Sequence, residues 1–105
     1  MMVPKMPVHF EDLWNQCEEL QAELAKQETV PDIIDELMLK INLYKALDHK
    51  EIPAEERQQA NMRTMGEILL TLSKLSLKDN VNVYEALSIA LQYRSIDHYA
   101  KKYVP

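Results

Sequence analysis

Residues Asn61 to Tyr93 read NMRTMGEILLTLSKLSLKDNVNVYEALSIALQY, and this stretch decides the fold. Its first part is polar only briefly and then almost continuously apolar as far as Leu77, after which residues 78–82 form a polar turn. A second amphipathic segment follows, entered through Val-Tyr-Glu-Ala-Leu at residues 83–87. The spacing predicts a long buried helix, a short turn and another helix. Glu67 lies directly before an apolar run, which makes it the acid with the least polar surroundings.

The length and the glycine content bound the fold. A chain of 105 residues predicts one helical domain over residues 1–105, with a short flexible N-terminus of about residues 1–7. The chain has a single glycine, Gly66, which lies within a helical pattern. Tight β-hairpins and phosphate-binding loops both need glycine at defined positions. The sequence therefore predicts an all-α fold, a four- or five-helix bundle that assembles into an oligomer.

Charge and cysteine content exclude several classes of function. A formal net charge of −5, without a cluster of Lys and Arg, argues against DNA or RNA as a partner. The single cysteine, Cys17, excludes an internal disulfide and fits a reducing compartment. No apolar run approaches the length of a membrane span, and the N-terminus lacks the apolar core of a signal peptide. We therefore expect a cytoplasmic protein that does not enter a membrane.

The apolar spacing places the first two helices at about Val8 to Gln27 and Pro31 to His49. In the first helix, apolar residues step by three and four along one seam. The second helix carries two apolar stripes, one from Ile34 to Tyr44 and one from Leu39 to Leu47. A helix that is apolar on two sides is either central in its bundle or shared with a second subunit. In so small a domain we expect the second case, a homo-oligomer (dimer or tetramer) built on helix two.

Two further helices are predicted in the second half of the chain. The third runs from about Pro53 to Leu77, and its Pro-Ala-Glu-Glu start suits a helix N-terminus. The fourth begins near Val83 and presents a packed face formed by Val83, Ala86, Leu87, Ala90 and Leu91. It either continues past Arg94 or breaks near residues 95–97.

Carboxylates are the only candidates for chemistry, since no serine or histidine has the setting of an activated nucleophile. Asp35 and Glu36 on helix two and Glu67 on helix three could hold Mg²⁺, which prefers oxygen ligands. An acid among leucines costs free energy unless it is paired or bound to a metal. The alternative is that Asp35 and Glu36 face solvent and that Glu67 pairs with a cation such as Lys40.

The segment Ala-x-Met-x-x-Met-Gly-Glu-Ile-Leu-Leu-x-Leu-x-x-Leu, followed by a turn and Val-Tyr-Glu-Ala-Leu, resembles the MazG-like nucleoside triphosphate pyrophosphohydrolases, an all-α family. In that family a Glu-Glu-x-x-Glu motif on one helix precedes a Glu-x-x-Asp motif on the next. Residues 64–69 fall on the second motif and residues 35–39 on the first, and the resemblance covers about residues 33–93. Two of the four acids are missing, because Leu39 and Thr64 stand where the family has carboxylates. Asp35 and Glu67 replace a Glu and an Asp.

The resemblance implies that Asp35, Glu36 and Glu67 are metal ligands for Mg²⁺ and that Glu36 and Glu67 are the catalytic residues, acting on a bound nucleotide. No residue is assigned to an organic cofactor. The missing acids indicate a divergent member with weak or lost catalysis, so the sequence leaves open whether the protein is an enzyme. A hypothesis of a different class is a non-catalytic helical interaction or oligomerisation module.

Overall fold

The computed structural model describes the backbone of residues 9–103 and the side chains of residues 9–96. Four α-helices make up this part of the chain: α1 (Phe10–Gln27), α2 (Val30–Leu47), α3 (Ala54–Asp79) and α4 (Val83–Tyr103). Residues 9–103 contain no strand, which confirms the all-α prediction with four helices. The flexible segment predicted at residues 1–7 lies outside the described residues. None of the four helices, over its described length, is both long and apolar enough to cross a membrane.

The break between α1 and α2 is fixed by local hydrogen bonds around Thr29. The backbone N–H of Asp32 donates to the Thr29 hydroxyl, and the backbone N–H of Thr29 donates to the Asp32 carboxylate, both at 3.2 Å. This reciprocal pair is a capping box, and Pro31 occupies the first turn of the helix, where its missing N–H costs nothing. The break predicted at residues 29–31 lies at residues 28–29 in the structure, because Val30 and Pro31 already belong to α2.

The turn between α3 and α4 depends on two asparagines. Asn80 adopts the left-handed conformation, with φ of 53°, and ends α3. The side-chain oxygen of Asn82 accepts hydrogen bonds from the backbone N–H groups of Tyr84 and Glu85, at 3.0 and 3.1 Å, and so caps the start of α4. From there α4 runs to Tyr103 without the break considered near residues 95–97.

α3 is the central helix, since it packs closely against both α1 and α2. Its fully covered side chains are polar and lie at Thr71, Ser73, Lys74 and Ser76. The two serine hydroxyls donate to backbone carbonyls of the same helix, Ser73 to Leu70 at 2.6 Å and Ser76 to Ser73 at 3.1 Å. These small side chains let the neighbouring helices approach closely. The leucines of this half, which the sequence pattern placed in the core, are only half-buried.

The apolar core of the single chain is small. Among the described residues only Trp14, Ala25 and Ile33 are buried apolar side chains. The radius of gyration is 17.4 Å, whereas a compact chain of this length has about 13 Å. The elongated shape shows that the four helices do not close around one common interior.

α4 accounts for much of the open surface. Its predicted packed face is wrong for the single chain: Val83 is half-buried, but Ala86, Leu87, Ala90 and Leu91 are exposed. The reason is that, among the described residues, no other helix packs closely along α4. The apolar spacing of α4 is therefore real, but one chain does not supply a surface to cover it.

Candidate functional site

Glu36 and Glu67, the two predicted catalytic residues, come together across the interface between α2 and α3. Both reach the ammonium group of Lys40: its Nζ atom lies 3.7 Å from Glu36 Oε1 and 3.3 Å from Glu67 Oε2. Lys40 is one helical turn after Glu36 on α2, which places the two side chains on the same face. The pairing of Glu67 with Lys40, considered from the sequence as the alternative to a metal, is present in the structure.

Asp35, the third predicted metal ligand, lies apart from this pair. It precedes Glu36 by one residue, so its side chain points about 100° away around the helix. The Asp35 side chain is exposed, whereas Glu36 is half-buried against α3. The structure thus brings two of the three predicted ligands together and leaves Asp35 on the outer face of α2.

A second lysine, Lys74 of α3, lies deeper in the same interface. Only 4% of its side chain is exposed. Its Nζ atom donates to both carboxylate oxygens of Glu28, at 2.9 and 3.2 Å, and lies 2.6 Å from Glu36 Oε2. Glu28 ends α1, so Lys74 ties all three packed helices together. A buried ammonium is tolerated only when carboxylates compensate its charge, and here two of them do.

Lys40 is anchored in a similar way. It donates to the Thr71 hydroxyl at 2.8 Å, and that hydroxyl donates in turn to the Glu67 carbonyl at 3.1 Å. Both lysines and all their partners form one connected set of polar side chains, hereafter the Lys–Glu cluster, which consists of Glu28, Glu36, Lys40, Glu67, Thr71 and Lys74.

The cluster shifts the ionisation of its most enclosed members. Burial raises the pKa of Glu36, but the Lys74 ammonium 2.6 Å away and the charge of Lys40 outweigh it, and the pKa lies below its ordinary value. Burial lowers the pKa of Lys74, yet Glu36 and Glu28 more than offset this effect, and the pKa lies above its ordinary value. Each shift favours the charged form, so the ion pair persists at neutral pH.

The arrangement resembles a cation site in which lysine supplies the cation. Glu36 and Glu67 converge as a pair of metal ligands would, but the Lys40 ammonium lies between them. In the side chains described for residues 9–96, no three His, Cys, Asp or Glu groups are placed to hold a metal ion together. For Glu36 and Glu67 to bind Mg²⁺, Lys40 would have to leave, and Leu39 and Thr64 offer no further carboxylate.

The sequence reasoning missed Glu28 and Lys74 as members of the site. A signal was present, because Lys74 interrupts a run of leucines and serines and lies seven residues, two helical turns, after Glu67. A lysine at that spacing on an apolar helix indicates a buried cation in need of acids. Nothing local to Glu28, at the break between two helices, identifies it as the partner.

Compared with known proteins, the chain matches no family model, no curated protein and no solved structure. The resemblance to the MazG-like family therefore rests on the residues and spacing quoted from the sequence.

Proposed function

We propose that this chain is a helical self-association module built on a MazG-like scaffold, with catalysis weak or lost. One observation carries the proposal: among the described residues, seventeen large apolar side chains are exposed and three apolar side chains are buried. Exposed apolar surface of this extent marks an interaction site. The reducing compartment that fits a single cysteine makes the cytoplasm the proposed location.

α2 supplies part of the proposed interface. Lys40 points towards α3, where it donates to Thr71, and exposed apolar side chains lie on both flanks of that inner face. Ile34, Met38 and Ile41 form one flank, whereas Leu39 and Leu43 form the other. Since one chain covers neither flank, a second copy packed against α2 would bury surface that is otherwise in contact with water. This is the reason for proposing a dimer or tetramer that uses α2.

The Lys–Glu cluster supports a structural role for the acids. A half-buried carboxylate that already pairs with two ammonium groups has little remaining charge to offer a metal ion. The cluster also joins α1, α2 and α3 by charge, which holds the helices in register although the apolar core is small. The proposal therefore assigns Glu28, Glu36 and Glu67 to the scaffold.

The test is the particle mass in solution. Size-exclusion chromatography with light scattering should give a dimer or tetramer for the wild type. Met38→Glu places a charge on the exposed apolar flank of α2 and should shift the mass towards that of the monomer. Asn42→Glu adds the same charge at an exposed polar position of the same helix and should leave the mass unchanged. A wild type that stays monomeric at high micromolar concentration would exclude self-association.

The second candidate is a Mg²⁺-dependent nucleoside triphosphate pyrophosphohydrolase, favoured by the convergence of Glu36 and Glu67 on one point. In this case Lys40 would move aside, Glu36 and Glu67 would hold the metal while Asp35 stays on the outer face of α2, and nucleotide would be the ligand. The assay is pyrophosphate release from a panel of nucleoside triphosphates with Mg²⁺. Activity that is lost in Glu36→Gln and Glu67→Gln but kept in Glu55→Gln would establish it. If no triphosphate of the panel is hydrolysed and none shifts the thermal unfolding midpoint, the pyrophosphohydrolase function is excluded.

A further inference from the structure

α4 carries apolar side chains on two sides, separated by a polar strip formed by Glu85, Ser88, Gln92 and Ser95. Leu87 and Leu91 lie on one side, whereas Ile89, Tyr93 and Ile96 lie on the other, and all five are between 54% and 70% exposed. A helix with a single apolar stripe can bury that stripe on its own domain, but a helix with two apolar sides buries at most one of them in that way. Within the part of the chain that the structure describes, no other helix packs closely along either side of α4.

The amount of open surface has the size of a subunit interface. The chain has an accessible surface of 8906 Å², whereas a compact monomer of its mass exposes about 6,100 Å². The excess of about 2,800 Å² is well above the roughly 800 Å² that each partner contributes to a standard interface, and it matches an obligate one. A small ligand or a short peptide does not cover such an area, whereas a second chain of this size does.

The same chain carries an unoccupied groove of suitable character. The groove has a volume of about 560 Å³ and lies between α1 and α3, where the exposed Leu13 and Leu20 face the half-buried Cys17 and Leu70. At about 1.5 Å per residue, the 21 residues of α4 and the 18 residues of α1 have similar lengths. A helix laid along this groove would contact α1 over the two turns from Leu13 to Leu20.

Charge favours α4 of a second copy as the occupant. The groove is bordered by Glu19, whereas Glu23, one turn further along α1, is already paired with Lys26. The second half of α4 carries Arg94, Lys101 and Lys102 against a single acid, Asp97. Opposite charges on the two elements steer them together and fix their relative orientation. Each copy has an uncovered α4 and an unoccupied α1–α3 groove. In a two-fold dimer, α4 of each copy would fill the groove of the other.

We propose that α4 of each copy packs into the α1–α3 groove of a second copy, so that the apolar core is completed between chains. The proposal rests on the self-association put forward above and names the element that carries it. It differs from contact through α2 alone, which would leave α4 in water. It also explains why α4 has two apolar sides but little packing in one chain.

The first experiment compares two glutamates at neighbouring positions. Leu91→Glu places a charge on the apolar side of α4, where 58% of the side chain is exposed in one chain. Gln92→Glu adds the same charge to the next residue, which is polar and also exposed. Because Leu91 contributes little to packing within one chain, we expect unchanged helical circular dichroism and an association constant lowered at least about 100-fold. Gln92→Glu should associate like the wild type.

The second experiment uses the native Cys17 as a reporter of the groove. Ser95→Cys introduces a thiol on α4, and a short bis-maleimide should link it to Cys17 of another copy, giving a covalent dimer on a denaturing gel. The dimer should disappear in Ser95→Cys with Cys17→Ala, which keeps the α4 thiol but removes the groove thiol. This readout also decides the question if Leu91→Glu loses helical signal.

The outcomes separate the two proposals. If the wild type associates but Leu91→Glu remains associated and no link from residue 95 to Cys17 forms, the α4 exchange is overturned and self-association stands. A dimer that persists without Cys17 would place α4 against α4 and would also overturn the groove assignment. If the wild type is monomeric, self-association fails and the exchange fails with it.

Discussion

The Nζ atom of Lys74 on α3 lies 2.6 Å from the Oε2 atom of Glu36 on α2, in an interface where Lys74 is almost completely covered. Glu28 completes the charge balance from the end of α1. The intact pair contributes little net stability to the fold. Removal of one partner is nevertheless strongly destabilising, because the remaining charge is left in a poorly solvated position. The stability of the three packed helices should therefore depend on the charge balance of the cluster.

Replacement of Lys74 tests this dependence directly. Lys74→Met keeps the length of the side chain but leaves Glu28 without its cation and Glu36 with Lys40 alone. We expect a loss of about 2 to 4 kcal/mol in the free energy of unfolding, measured by urea denaturation. Lys26→Met is the matched control, since the Lys26 pair with Glu23 is exposed and should contribute less than about 1 kcal/mol. If Lys74→Met and Lys26→Met lower the free energy of unfolding equally, the burial of Lys74 does not determine the contribution of its ion pairs.

The double variant Lys74→Met with Glu36→Gln should recover part of that loss. Without Lys74, Glu36 keeps only the more distant Lys40, and Glu36→Gln removes that weakly compensated charge, so the two substitutions should not be additive. A strictly additive result would mean that Lys74 and Glu36 act independently.

The acid dependence of stability follows from the lowered pKa of Glu36. Because the folded pKa lies below the ordinary value of 4.5, this contribution is fully present above pH 4.5 and is lost as the pH falls through the folded pKa. Hydrogen bonds from the side chain and backbone of Thr29 lower the pKa of Asp32 in the same direction. Thermal denaturation between neutral pH and pH 3 should show this loss, with a weaker slope in Glu36→Gln than in the wild type. An identical slope would contradict the assignment to Glu36.

Gly66 offers a stabilising substitution. It lies inside α3, and no atom lies within 4 Å of the position that a Cβ would take. Gly66→Ala should therefore raise the free energy of unfolding by about 0.5 to 1 kcal/mol, because alanine loses less backbone entropy on forming a helix. The reverse change at another position of α3, Ala60→Gly, should lower it by a similar amount. Destabilisation by Gly66→Ala would show that a partner approaches the helix at this point.

The capping box of α2 can be measured through Thr29. Thr29→Ala removes the hydroxyl that accepts from the Asp32 N–H and should cost about 1 kcal/mol in chemical denaturation. Thr29→Ser keeps the hydroxyl and should stay close to the wild type. Similar losses in both variants would indicate that the methyl group of Thr29, and not its hydroxyl, is responsible.

Local signals in the sequence determined the helices of this protein. The apolar periods, the Thr29–Pro31 break and the polar turn at residues 78–82 predicted the first three helices with ends within about two residues of those observed. They also predicted the start of the fourth helix but left open whether it breaks near residues 95–97. Such signals act over one or two helical turns, so a single sequence carries them. The convergence of Glu36 and Glu67 was one of two alternatives that the sequence left open, the other being that Glu36 faces solvent.

Only the tertiary structure decided what those acids contact and where the core lies. Lys74 meets Glu28 across 46 residues of chain, and that distance closes only when α1 and α3 pack together. Likewise, the apolar spacing of Leu87 and Leu91 predicts a buried face but does not say which chain buries it. The apolar periodicity of a helix predicts that one of its faces is buried. Which residues cover that face depends on how the helices are arranged in space.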